Sequence, residues 1–401
     1  MRKTHTLRGL EEDALDLLDV IQALRALLPE DTLALREELF RALERDDPSG
    51  ALNASREAYE RSGPGDRDVA LTYVVLLQSR GLLEEAEGVL RKTLVAHEQD
   101  VRVQLAQVRG LGLSGRTEQA GEILDGLITY VTEPEMLGYA GDLSLDFEQP
   151  EAAIAAYKRA LECSSQDHEV AYRLARLLLE RGEIFDGASM LERSARLAVA
   201  QIWLWELTGD AWTEAGESER AAQAYGRAVK LEQEDEQLWL KRGMALHASG
   251  SWQEAIEALE RASRLDPFLS EAWVHMGHVY LDQGYSEDAV RWYNKALAQT
   301  PDDLQALQGV TAAVFAQGDI EYAYELAKRA LQIDPERMET QYNLGMILTE
   351  MSEHAQARAS LERAAQLSPQ SPEVWAALAL CRVRTGDKED AHEAFERAVA
   401  L

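Results

Sequence analysis

His275-Met-Gly-His278 sets two imidazoles three residues apart, a spacing that puts both on one face of a helix. With His247 upstream they form the chain's best candidate for metal chemistry. A zinc site wants a fourth ligand, for which Asp282 is the available carboxylate, and supporting hydrogen bonds behind it. Clustered histidines more often meet a peptide or water, so no metal is expected. Gly110-Leu-Gly112-Leu-Ser-Gly115 has the spacing of a dinucleotide-binding loop. That loop needs a strand before it, a helix opening at it and an acid about twenty residues on. None of that context is present, and the segment reads as a loose turn between two helices. No Ser or Cys sits at a recognisable nucleophile elbow. Paired acids such as Glu84-Glu85 and Asp302-Asp303 fall at turns and helix starts, where solvation and the helix dipole account for them. No catalytic residue and no cofactor are therefore expected, and the chain reads as something other than an enzyme.

Composition narrows the partners. The 401 residues carry 71 acidic and 41 basic side chains, a formal net charge of −30, spread evenly along the chain. No Lys/Arg run breaks that field, so a phosphate backbone or an anionic membrane surface would be repelled. A basic protein or peptide is easier to accept. No stretch is long and apolar enough to span a bilayer, and no signal-like apolar core follows Arg2, Lys3 and Arg8. Cys163 and Cys381 are too distant in sequence for a disulfide framework. A cytoplasmic location is the expectation.

The elements that must position these residues repeat at a fixed step. Trp205, Trp239 and Trp273 are each followed four residues later by Gly209, Gly243 and Gly277. Twelve residues on come Ala221, Ala255 and Ala289, then Tyr225, Leu259 and Tyr293, then Ala228, Ala262 and Ala296. The step is 34 residues each time. Large residues at unit positions 4, 7 and 11 share one face of a first helix. The small residue at position 8 and the alanines at 20 and 27 let a second helix approach it, with position 24 filling the space between them. Gly250, Gly284 and Gly318, at position 15, end the first helix. Pro267, Pro301, Pro335 and Pro369 close the second.

This pattern resembles the tetratricopeptide repeat (TPR) family over nearly the whole chain. Units begin near Thr32, Arg67, Val101, Pro134, His168, Ile202, Glu236, Ser270, Leu304, Met338 and Pro372. The resemblance implies an all-α fold: an α-solenoid, a right-handed superhelix of about eleven helix-turn-helix units. Residues 1–31 are expected to form an N-terminal capping helix and 32–401 the solenoid. The first unit, 32–66, is degenerate, broken at Asp46-Asp47-Pro48-Ser49-Gly50.

In the resembled family, positions 2, 5, 6, 9, 12 and 13 line a concave groove. His247, His275 and His278 fall on that set. So do Tyr172, Arg173 and Arg176, followed by Trp203 at position 2 of the next unit, a candidate aromatic and arginine anchor for a peptide. The alternative is that Trp203 seals a tight joint between units. A second cluster is Phe315 with Tyr342, Asn343 and Met346. Asn343 stands where asparagine-rich members of the family hold peptide backbone, but other units have His275, Gly309, Lys241 and Ala377 there, so no asparagine ladder exists. The Lys and Asn of the family's carboxylate clamp are also missing.

Function follows as an expectation: a scaffold or adaptor that holds a peptide or helix in its groove. A second reading is a structural protein that self-assembles into homo-oligomers through its C-terminal face, where Phe395, Ala398, Val399 and Leu401 have no following helix. A third is a regulatory arm of a multi-component enzyme complex.

Overall fold

Aspartates open many of the helices. Asp66, Asp100, Asp167, Asp235 and Asp303 each accept a hydrogen bond from a backbone amide two or three residues on, as N-caps do. Pro134, Pro150 and Pro372 occupy the first turn, where a missing N–H costs nothing. In this computed structural model, which describes Leu27, residues 48–198 and residues 200–401, the described residues form helices joined by short turns, with no strand among them. Contacts divide the chain into two compact units, Met1–Val199 and Ala200–Leu401.

The first unit contains α1 (Pro48–Ser62), α2 (Arg67–Ser79), α3 (Leu83–Ala96), α4 (Val101–Leu113), α5 (Thr117–Tyr130), α6 (Pro134–Asp146), α7 (Pro150–Cys163), α8 (His168–Glu180) and α9 (Ile184–Leu197). The second contains α10 (Ile202–Glu214), α11 (Ser218–Leu231), α12 (Glu236–Ala248), α13 (Trp252–Leu265), α14 (Ser270–Asp282), α15 (Ser286–Gln299), α16 (Leu304–Ala316), α17 (Ile320–Ile333), α18 (Met338–Glu350), α19 (His354–Leu367), α20 (Pro372–Thr385) and α21 (Lys388–Ala400). Every first helix from Arg67 onward starts at the residue the repeat register predicts. Within each unit consecutive helices pack together, and first helices of successive repeats also touch, as α14 touches α16 and α16 touches α18. The expected capping helix and the first helix of the degenerate repeat lie outside the described residues. Of them only Leu27 is described, and it is fully buried in the first unit's core. α1 begins at Pro48, so the Asp46–Gly50 segment reaches into the second helix of that repeat.

Two small-residue positions set the repeat's geometry. At position 8, a Cβ on Gly209, Gly243 or Gly277 would come within 2.5, 2.6 or 2.5 Å of Tyr225, Leu259 or Tyr293 on the paired helix. At position 15 the backbone turns left-handed, with φ of 77°, 80° and 84° at Gly250, Gly284 and Gly318. Two repeats make the same turn without glycine, at Glu148 (φ 57°) and Ser352 (φ 64°).

One expectation is corrected. Gly110 and Gly112 do not belong to a loose turn; both lie inside α4, and only Gly115 is in the turn that follows. Their smallness answers to packing. A Cβ on Gly112 would fall 1.9 Å from Phe147 Cε1, and one on Gly110 2.7 Å from Gln78 Nε2. Gln78 and Arg109 are themselves buried: Arg109 donates to Gln78 Oε1 (2.8 Å) and Gln78 Nε2 donates to the Ala106 carbonyl (2.9 Å).

Candidate partner-binding groove

First-helix positions 2, 5, 6 and 9 converge in the second unit. Gln305, Gln308, Gly309 and Ala312 of α16, Glu339, Tyr342 and Asn343 of α18, and His278 of α14 line one cavity of about 500 Å³. Its floor includes Tyr293 from α15, and the start of α20 contributes Glu373 and Val374. The wall is mostly neutral and rich in hydrogen-bonding amides. Gln308 Nε2 donates to Thr340 Oγ1 (2.9 Å), which leaves its carbonyl oxygen as an acceptor. Arg337, at the rim, is paired with Glu339 (3.0 Å). Burial, reinforced by the Glu373 carboxylate, raises the Tyr342 phenol above its usual range and keeps it a neutral donor.

The histidine cluster divides. His247 Nε2 meets Asp282 Oδ2 at 2.8 Å, so the carboxylate considered as a fourth metal ligand is engaged by one imidazole. His275 and His278 stack edge to face with ring centroids 5.6 Å apart. Burial is the main cause that lowers both, His275 to about 4, with the neighbouring histidines adding to it. Both are neutral imidazoles at neutral pH. Among the described residues no group of three or more His, Cys, Asp or Glu side chains is placed to hold a metal ion. Only His278 of the three lines the cavity.

The remaining predicted residues scatter. Tyr342 and Asn343 line the cavity, whereas Phe315 is half-buried and does not. Tyr172, Arg173 and Arg176 belong to the first unit and Trp203, 49% exposed, to the second. Both arginines are engaged: Arg173 with Asp142 (2.7 Å) and Glu169 (3.3 Å), Arg176 with Glu180 (3.5 Å). Phe395, Val399 and Leu401 are exposed on α21 and at its end.

The Arg173 pair is one of two matching polar triads that are invisible one residue at a time. Tyr157 donates to Asp142 Oδ1 (2.7 Å) while Arg173 Nη1 donates to Asp142 Oδ2. Two repeats later, Tyr225 donates to Asp210 Oδ1 (2.7 Å), and Lys241 Nζ donates to the same carboxylate (2.9 Å) and to Glu206 (2.7 Å). Burial works to lower the Lys241 ammonium, but the two carboxylates outweigh it and hold it above the ordinary value. The signal was present: Tyr at position 24, Asp at position 9, a base at position 6 of the next repeat.

Stacked helix pairs of constant length and a cavity on their first-helix faces define a helical-repeat protein of the interaction type. A tetratricopeptide repeat model matches residues 140–196 and another residues 336–401. Between them, residues 194–366 match the C-terminal TPR domain of cilia and flagella-associated protein 70. The chain belongs to the tetratricopeptide repeat family. No curated protein matches it by sequence. Among solved structures, a tetratricopeptide repeat protein from Parabacteroides merdae is 15% identical, with a TM-score of 0.47 over 62% of this chain and 98% of its own. A thermophilic TPR protein from Thermus thermophilus is 25% identical, with a TM-score of 0.39 over 41% and 91%. YrrB, a TPR protein with an unusual peptide-binding site, is 22% identical, with a TM-score of 0.36 over 46% and 94%. No helix among the described residues is long and apolar enough to cross a membrane.

Proposed function

We propose that this chain is a scaffold that holds an extended segment of a partner protein against the first-helix faces of its second unit. The observation that carries the reading is the cavity of about 500 Å³ formed by corresponding positions of successive repeats. A partner strand running along α14, α16 and α18 would meet His278, Gln308, Tyr342 and Asn343 in turn. Amides and phenols at fixed helical spacing supply the paired donors and acceptors that an extended backbone requires. The helices are held by their own core, so the groove needs little ordering when it binds.

The net charge of −30 favours a segment that is basic or neutral and disfavours nucleic acid. On this reading the chain is an adaptor without catalytic residues. Tyr172, Arg173, Arg176, Trp203, His247, His275 and Phe315 are secondary contacts at most, because they do not line the cavity. The test is a set of peptides selected from a random library on the immobilised protein. Replacing Tyr342 and Asn343 by alanine together should weaken selected peptides at least tenfold, at about 1.4 kcal/mol per tenfold. Affinities unchanged by that pair of substitutions would refute the placement of the groove.

A further inference from the structure

The cavity sits where one of the polar triads has lost two of its three members. The repeats that begin at Pro134, Ile202 and Ser270 all carry tyrosine at position 24: Tyr157, Tyr225 and Tyr293. The first two donate to Asp142 and Asp210, which pair with Arg173 and Lys241 from the following repeat. The third keeps the tyrosine, but His278 replaces the aspartate and Gly309 replaces the base. Tyr293 is fully buried, and its hydroxyl has no hydrogen-bond partner among the described residues. That hydroxyl would stand 2.8 Å from a Cβ on Gly309, and both residues line the cavity. The absent Cβ at position 309 lets the Tyr293 ring lie against the α16 backbone, since a Cβ there would fall 2.3 Å from Tyr293 Cε1, and the absent aspartate leaves the donor.

A buried phenol without an acceptor is costly, so whatever enters must first offer it an acceptor. Charge then selects among acceptors. Glu339 and Glu373 line the cavity, and Asp282 and Asp303 both act on His278. Arg337 is already paired with Glu339. An incoming carboxylate would face these acids with no spare cation in the cavity wall. An incoming lysine or arginine carries only donors: it can donate to the phenol oxygen but leaves the phenol proton without an acceptor. A primary carboxamide meets both demands. Its oxygen accepts from Tyr293, and its NH2 group finds acceptors in Gln308 Oε1 and the Glu373 carboxylate. Because Tyr293 is buried beneath the groove surface, a projecting side chain that displaces the residues covering it meets the hydroxyl, and a backbone laid along the helices does not.

We infer that the Tyr293 hollow is a specificity pocket for a glutamine or asparagine side chain of the partner segment. This rests on the groove reading above and adds the residue that the groove selects. The probes are the N-acetyl methylamides of glutamine, glutamate and lysine, added at millimolar concentration to the full chain. Binding is read from the backbone amide signal of Gly309. The glutamine probe is expected to shift that signal and to bind about tenfold more tightly than the other two. Tyr293→Phe should raise the melting temperature, because it removes an unsatisfied buried hydroxyl, and should lower the glutamine affinity about tenfold. His278→Asp supplies Tyr293 with an internal acceptor, as Asp142 and Asp210 do, and should also abolish the response. Equal responses to the three probes, no response to any, or a glutamine response untouched by Tyr293→Phe would overturn the inference. Selected peptides that still depend on Tyr342 and Asn343 would then leave the groove reading standing, and their independence of those residues would remove it separately.

Discussion

Acidification should loosen the second unit through His275. Its side chain is 16% exposed, and burial, followed by the nearby His278 and His247, lowers its pKa from 6.5 to about 4. The opposing attraction is weak, since the Glu271 carboxylate stands 4.0 Å away and is itself 53% exposed. The folded state therefore prefers the neutral ring, while the unfolded chain binds a proton below 6.5. Below that value the unfolded state carries more protons, so stability is full above it and is lost as pH falls towards 4. Each tenfold difference in proton affinity between the two states is worth about 1.4 kcal/mol, so the loss between neutrality and about pH 5 comes to about 2 kcal/mol. His278, also lowered by burial, adds to the slope in the same window but is present in both proteins being compared. Urea midpoints of the wild type and of His275→Gln, measured across that range at constant salt, should diverge: the wild type weakens and the variant stays flatter. Histidine proton signals should give His275 a pKa well below that of an exposed histidine. A His275 that titrates like an exposed imidazole, or parallel pH slopes in the two proteins, would refute the reasoning.

Two backbone predictions follow from the repeat itself. Ser352→Gly and Glu148→Gly relieve left-handed residues where the corresponding turns elsewhere use glycine, and each should raise thermal stability by about 1 kcal/mol. Gly112→Ala should do the reverse, because its methyl would collide with the Phe147 ring; calorimetry should show a loss of about 2 kcal/mol. Asp210→Ala leaves Lys241 with Glu206 alone and the Tyr225 hydroxyl with only a long contact to Thr213 (3.4 Å), and should destabilise by about 1 kcal/mol; Asp210→Asn, which keeps an acceptor, should cost less.

Fold and site were legible to different depths. The register was open to reading because the same steric demand recurs every 34 residues, so Gly209, Gly243 and Gly277 report one packing contact rather than three accidents. Gly110 and Gly112 misled because their spacing imitates a loop, whereas the ring of Phe147 and the amide of Gln78, both distant in sequence, explain them. On its own helix Arg173 has only the exposed Glu169 for a partner. Its partner Asp142 lies 31 residues away, a pairing that shows only when successive repeats are laid side by side. The same holds for the cavity. It is lined where His278 and Gly309 stand in place of Asp210 and Lys241, and a search for chemically active residues passes over a glycine. Tyr342 and Asn343 were legible as cavity-lining residues because they carry polar groups at positions 5 and 6 of their repeat. Tyr293, named only as a core residue, also supplies the floor.

The most direct measurement is a chemical-shift map of the second unit with a library-selected peptide bound. The account predicts perturbations concentrated at His278, Gln308, Gly309, Tyr342 and Asn343, on first helices of successive repeats, with the second helices largely silent. A map centred on the second helices, on the inter-helix turns or on the exposed α21 residues Phe395 and Val399 would contradict it.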